Sequence, residues 1–138
     1  MSSKVIAHRR YRVVTPKNMK TPPDSFEKAI ARLLSDYFHS DIKFVDTAST
    51  SMPDIRVERL NQIWEIKRID GNKKDTIHHA LGRAKKQSAN VIIATGRTRF
   101  RPQQIIGYIK KELEKRKDTK KLIFIDRQGN ILVIKGRV

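Results

Sequence analysis

The sequence predicts a single α/β domain with a mixed β-sheet flanked by helices, and three observations predict it. Phe26, Ala29, Ile30, Leu33, Leu34 and Tyr37 recur at helical spacing. Residues 54–59 and 62–69 alternate apolar with polar, the period of strands covered on one face. Val91-Ile92-Ile93-Ala94 and Leu122-Ile123-Phe124-Ile125 are continuous apolar runs, as expected of strands covered on both faces. At 138 residues the chain suits one domain with a real but small core.

Residues 1–23 hold Lys4, Arg9, Arg10, Arg12, Lys17 and Lys20 and no acid. They read as a basic N-terminal arm, partly unstructured or the tail of a linker, ahead of a domain at 24–138. Val5-Ile6-Ala7 and Tyr11, Val13 and Val14 can supply a short edge strand. Pro22-Pro23 stops that element, and Asp24-Ser25-Phe26-Glu27 has the form of a capping box that opens a helix to about His39. Ile42, Phe44 and Val45 give a strand within 41–46. A polar loop then leads to Pro53, which biases Met52 towards extended backbone. The strands 54–59 and 62–69 turn at Leu60-Asn61, and Asp70-Gly71-Asn72 ends the second. Asp75 is expected to cap a helix to about Ser88, with Ile77, Ala80, Leu81 and Ala84 inward. A strand at 90–94 follows, then a basic loop at 96–101. Pro102 suits the first turn of a helix striped by Ile105, Ile106, Ile109 and Leu113. Strands at 122–125 and 131–134 close the chain around a turn at 126–130. The predicted order is α-β-β-β-α-β-α-β-β.

The chain carries 31 Lys and Arg against 14 Asp and Glu, a net charge of +17. Such an excess repels itself and is relieved by a polyanion, nucleic acid first and an anionic membrane surface second. No apolar run approaches the roughly 18–20 residues of a membrane span, and no signal-peptide pattern is visible. The absence of cysteine excludes disulfides and thiolate zinc sites. Between Thr76 and Lys111 there is no acid, while Arg83, Lys85, Lys86, Arg97, Arg99 and Arg101 all occur. So one-sided a run reads as a phosphate-binding face rather than a set of solvated helix surfaces. Phe100 among Arg97, Arg99 and Arg101 adds a ring on which a base can stack. His78 and His79 are neighbours on one helix and point in different directions. His78 is a candidate nucleic-acid or proton-transfer contact, set against the plainer reading of a surface histidine without an acidic partner.

Asp54, Glu65 and Lys67 carry the chemistry. Glu65 and Lys67 share one strand face, and hairpin pairing of the two runs brings Asp54 near Glu65. Pro-Asp and Glu-x-Lys are each uninformative alone, and the alternative is a turn acid beside a solvated strand face. Together, in two alternating strands with Trp64 and Ile66 on the opposite face, they describe a partly buried site. Two carboxylates suit Mg²⁺, which takes one or two carboxylates plus waters and phosphate oxygens. Asp54 and Glu65 are the candidate ligands, with the Ile66 carbonyl as a third. Lys67 is placed to orient water or to steady charge on phosphate oxygens.

The pattern Pro53-Asp54, ten residues, Glu65-Ile66-Lys67 resembles the PD-(D/E)XK nuclease superfamily. The resemblance implies a restriction-endonuclease-like core, and residues 25–94 follow its helix, three strands, helix, strand order. It also implies that a glutamate of the first helix joins the site, at Glu27, a residue the capping box also claims. Gln87 matches a polar helix position near the metal in related nucleases. Trp64-Glu65-Ile66-Lys67-Arg68, the segment Ala84 to Asn90, Val91-Ile92-Ile93 and Leu122 to Asp126 look like the C-terminal tRNA nuclease toxins of contact-dependent growth inhibition (CdiA) systems. That likeness spans about residues 24–138. It implies cleavage of tRNA in the cytoplasm of a target cell, delivery as part of a larger secreted toxin, and a cognate immunity protein. The alternatives are a DNA endonuclease of the same superfamily, of resolvase or restriction type, and a non-catalytic basic nucleic-acid-binding domain.

Overall fold

The computed structural model describes residues 10–46, 54–73, 75–84 and 90–138, with the side chains of 82–84 left out. Its elements are β1 (Val13–Val14), α1 (Ser25–Phe38), β2 (Ile42–Val45), β3 (Asp54–Val57), β4 (Gln62–Ile69), α2 (Asp75–Ala84), β5 (Asn90–Thr95), α3 (Pro102–Leu113), β6 (Lys121–Ile125) and β7 (Ile131–Lys135). The strands form one seven-stranded sheet in sequence order. β1 runs parallel to β2, β2, β3 and β4 are successively antiparallel, β4, β5 and β6 are parallel, and β7 returns antiparallel to β6. The predicted α/β class and element order hold, with β1 added at the edge. Among the described residues no helix is long and apolar enough to cross a membrane.

Two apolar layers fix the sides of the sheet. Ile30, Ala31, Leu34 and Phe38 of α1 pack with Phe44, Ile55, Trp64, Ile66, Ile92 and Ile123. Ile77 and Leu81 of α2 and Ile105 and Ile109 of α3 pack with Ile69, Val91, Ile93, Leu122 and Phe124. Successive strand residues alternate between faces, so β5 and β6 serve both layers, which is why they read as unbroken apolar runs. The crossovers β4-α2-β5 and β5-α3-β6 lie on one face, and α1 takes the other.

Three boundaries differ from the sequence reading. The strand expected at 54–59 ends at Val57 in a 3₁₀ turn, Glu58–Leu60, and Asn61 closes it in the left-handed region at φ 51°. Asp75 lies within the first turn of α2 rather than capping it from outside. Residues 10–23, expected as an arm ahead of the domain, lie along it. Ile42 donates its N–H to the Arg12 carbonyl, Arg12 donates to Asp41, and Val13 and Met19 pack against the α1 layer. Val5-Ile6-Ala7 lies outside the described residues.

Candidate active site

The local sequence of β3 and β4 builds the site. Asn61, in the left-handed conformation, ends the turn so that Val57 faces Gln62, and the register then runs to Asp54 opposite Glu65. Directly opposed antiparallel residues have Cα atoms about 4.5–5.5 Å apart and side chains on one face. Trp64 and Ile66 anchor β4 into the α1 layer. By alternation Asp54, Glu65 and Lys67 project to the other face, the one that carries α2 and α3.

All three are nearly withdrawn from water, at 7%, 2% and 6% exposure. Lys67 Nζ lies 3.0 Å from Glu65 Oε2. Glu65 Oε1 is buried and, among the described residues, has no hydrogen-bond partner. Burial pushes the Glu65 carboxyl above its ordinary value, and the hydrogen bond and charge of Lys67 offset this only in part. An ionised carboxylate held here therefore gains from further positive charge.

Those features fit a divalent cation. Among the described residues no cluster of three or more His, Asp or Glu side chains is arranged to hold a metal. Two carboxylates on adjacent strands, one with an orphaned buried oxygen, nevertheless match the sparse protein ligation that Mg²⁺ accepts.

Glu27 is not brought to this centre. It lies on α1, across the sheet, and its Oε1 accepts the Asp24 N–H at 2.8 Å while Asp24 Oδ1 accepts the Glu27 N–H at 2.8 Å. The capping box uses the carboxylate, and burial raises it above the ordinary range. Lys85, Lys86 and Gln87 lie outside the described residues, as does Pro53.

Arg97, Arg99 and Arg101 sit on the loop after β5, at the C-terminal ends of the parallel strands. The loop backbone is held by contacts from elsewhere in the chain. Asp70 Oδ1 accepts the Arg97 N–H at 2.8 Å, and Asn72 Oδ1 accepts the Arg99 N–H at 2.6 Å. Arg127 donates to the Thr98 carbonyl. Gly96 packs so closely that a Cβ there would run into the Asp70 carboxylate and the Arg68 side chain. Sequence reasoning took Asp70 and Asn72 as turn residues and passed over Arg127. Their role as clamps joins positions 27 to 29 residues apart, and no local pattern signals it.

His78 does have an acidic partner. Its Nδ1 lies 2.7 Å from Oε1 of Glu112 on α3, and Arg116 reaches the same oxygen at 3.3 Å. Burial works to raise the Glu112 carboxyl, but His78 and Arg116 together hold it below its ordinary value. A lowered carboxyl contributes stability above its unfolded value and loses it as the pH falls through the folded one. Glu112→Gln is therefore expected to lower the melting temperature at neutral pH. The gap to the parent should close on acidification below about pH 4.5, and thermal melts across pH check this.

Residues 51–131 match the family described as the contact-dependent growth inhibition CdiA C-terminal domain. The match takes in Asp54, Glu65, Lys67 and the arginine loop, and excludes Glu27. No curated protein matches the sequence. A chain of the CdiA-CT/CdiI toxin and immunity complex from Burkholderia pseudomallei shares the fold, with a TM-score of 0.59 and 17% identity over 89% of this chain and 98% of that one.

Proposed function

The chain belongs to the family of contact-dependent growth inhibition CdiA C-terminal domains, and from that premise we propose that it is a nuclease toxin module that hydrolyses phosphodiester bonds at Asp54, Glu65 and Lys67. The observation that carries this reading is the opposition of Asp54 and Glu65 across two strands, both buried, with the Lys67 ammonium 3.0 Å from Glu65. Burial of three charges at one point of a small sheet is costly for stability, and a site of charge chemistry is a reason for it. The arrangement resembles a PD-(D/E)XK centre without the helix glutamate.

Asp54 and Glu65 would hold the divalent cation, with Mg²⁺ the expected one; bound there it would polarise the phosphate and supply a nucleophilic water. Lys67 supplies fixed positive charge beside the carboxylates, where the phosphorus oxygens gain negative charge. Trp64 and Ile66 keep β4 rigid, so the carboxylates are held in place before substrate arrives. Arg97, Arg99 and Arg101 contact nucleic-acid phosphates. The substrate we assign is tRNA, met in the cytoplasm of a target cell after delivery within a larger secreted protein. The similar structure is a toxin–immunity complex, and a cognate immunity protein is the partner expected to block this chain.

The test is cleavage of total tRNA, duplex DNA and branched DNA side by side. Cutting confined to tRNA is the expected outcome. Cutting confined to either DNA would make the chain a DNA endonuclease with the same centre, and no cutting of any would leave a binding domain.

A further inference from the structure

The parallel strands β4, β5 and β6 end at Ile69, Thr95 and Ile125, and the loops that follow them meet beyond the sheet. Two clefts open there. One, of ≈ 800 Å³, lies on the α1 side and is walled by Phe26, Arg68, Arg97 and Arg127. The other, of ≈ 250 Å³, lies at the start of α3 and is walled by Arg99, Phe100, Arg101, Ile105 and Arg127. Thr95 and Arg127 line both, so the two clefts flank the same strand ends. Open α/β sheets take ligands at this end of their parallel strands. The place is distinct from the carboxylate pair. Glu65 pairs with Val91, four residues and roughly 13 Å along β5 from Thr95, and Asp54 lies one strand further away.

The walls differ in readiness. Arg68 is committed: its guanidinium pairs with Asp70 at 2.7 Å and Asp24 at 3.6 Å and lies 5.1 Å from the centre of the Phe26 ring. Among the described residues Arg97, Arg99 and Arg101 form no ion pair, while Asp70, Asn72 and Arg127 pin the backbone that bears them. Three acids line the same clefts and are already engaged, Asp24 and Asp70 by Arg68 and Asp126 by the Gln128 and Asn130 N–H groups. The three guanidiniums are therefore left for an incoming anion, and their pinned backbone limits the ordering needed when one arrives. Their planar forks suit phosphate oxygens. Phe100, half-buried between Arg99 and Arg101, is braced edge-on by Tyr108 at 5.4 Å. A braced ring among unpaired guanidiniums is the combination that holds an unstacked base and its phosphates.

We infer that this groove is a second nucleic-acid site: a single-stranded segment crosses the end of the parallel strands, its phosphates on Arg97, Arg99, Arg101 and Arg127 and one base against Phe100. The inference rests on the reading of the chain as acting on nucleic acid and assigns no catalytic role to the groove.

The test is anisotropy of a short fluorescein-labelled single-stranded RNA, in the Glu65→Gln background so that the probe survives. Removing two phosphate contacts with Arg99→Gln/Arg101→Gln should reduce the slope of log affinity against log salt by about 1.4. Phe100→Leu keeps an apolar side chain against Tyr108 and should weaken binding roughly 5- to 150-fold. That loss should disappear on an abasic strand of the same length. An unchanged salt slope, or an equal Phe100→Leu effect with and without bases, overturns the proposal. So does loss of all binding in Glu65→Gln alone, which would make the groove an extension of the carboxylate site. Groove variants that bind RNA normally but lose an acidic protein partner would mark a protein-docking surface and also overturn it. Cleavage by Glu65→Gln at the parent rate would sink the catalytic reading, and the same binding comparison is then made on a cleavage-resistant phosphorothioate strand.

Discussion

Glu65→Gln is expected to remain folded and to lose phosphodiester cleavage by about 10²–10⁴-fold, the range seen when one charged group is withdrawn from a catalytic centre. Gln keeps the shape of Glu65 and can still accept a hydrogen bond from Lys67, so packing in the sheet is preserved. What it lacks is the anionic charge with which Glu65 would hold a cation. Asp54→Asn should behave alike, because Asp54 faces Glu65 across the β3–β4 pair. Cleavage assays, with circular dichroism as the folding control, check both. Parent-level activity in the two variants would remove the centre from the mechanism.

Lys67→Met has the larger expected effect on stability. It leaves Glu65, at 2% exposure, without the ammonium that lies 3.0 Å from it. Breaking one side of a buried ion pair costs about 3–5 kcal/mol, because the other charge remains buried and unpaired. For a domain of this size that is a fall of about 10 °C or more in melting temperature. Cleavage should fall as well, since fixed charge beside the phosphate is lost. Added Mg²⁺ should restore more of the melting temperature in Lys67→Met than in the parent, because it replaces charge where none remains. Differential scanning calorimetry with and without Mg²⁺ measures this, and an unchanged melting temperature would show that the pair carries little of the site's electrostatics.

The parts legible in the sequence were those with a local period or a local cap. The alternation at 54–57 and 62–69 specified both strands and put Asp54 and Glu65 on one face once the chain turned at Asn61. Pro102 and the stripe from Ile105 located α3, and the apolar runs of β5 and β6 announced their two-sided burial. The illegible parts depend on which face each element covers and on partners far along the chain. Glu27 served equally well as cap or as ligand while its face was unknown. Because crossovers between parallel strands share one hand, α2 and α3 occupy one side of the sheet. That leaves α1 and Glu27 on the other. Likewise the partner of His78 is Glu112, 34 positions away, and Asp70 reaches Arg97 across 27. The strand β1 was legible only as an option, since two residues at an edge have no period to read.

The centre itself is tested most directly by incubating tRNA with the parent protein and with Glu65→Gln, each with and without EDTA, and mapping the cut ends. Discrete cuts by the parent that vanish with EDTA, and are absent for Glu65→Gln in either condition, are the predicted result. Equal cutting by both proteins, undiminished by EDTA, would contradict a carboxylate-held metal centre at Asp54 and Glu65.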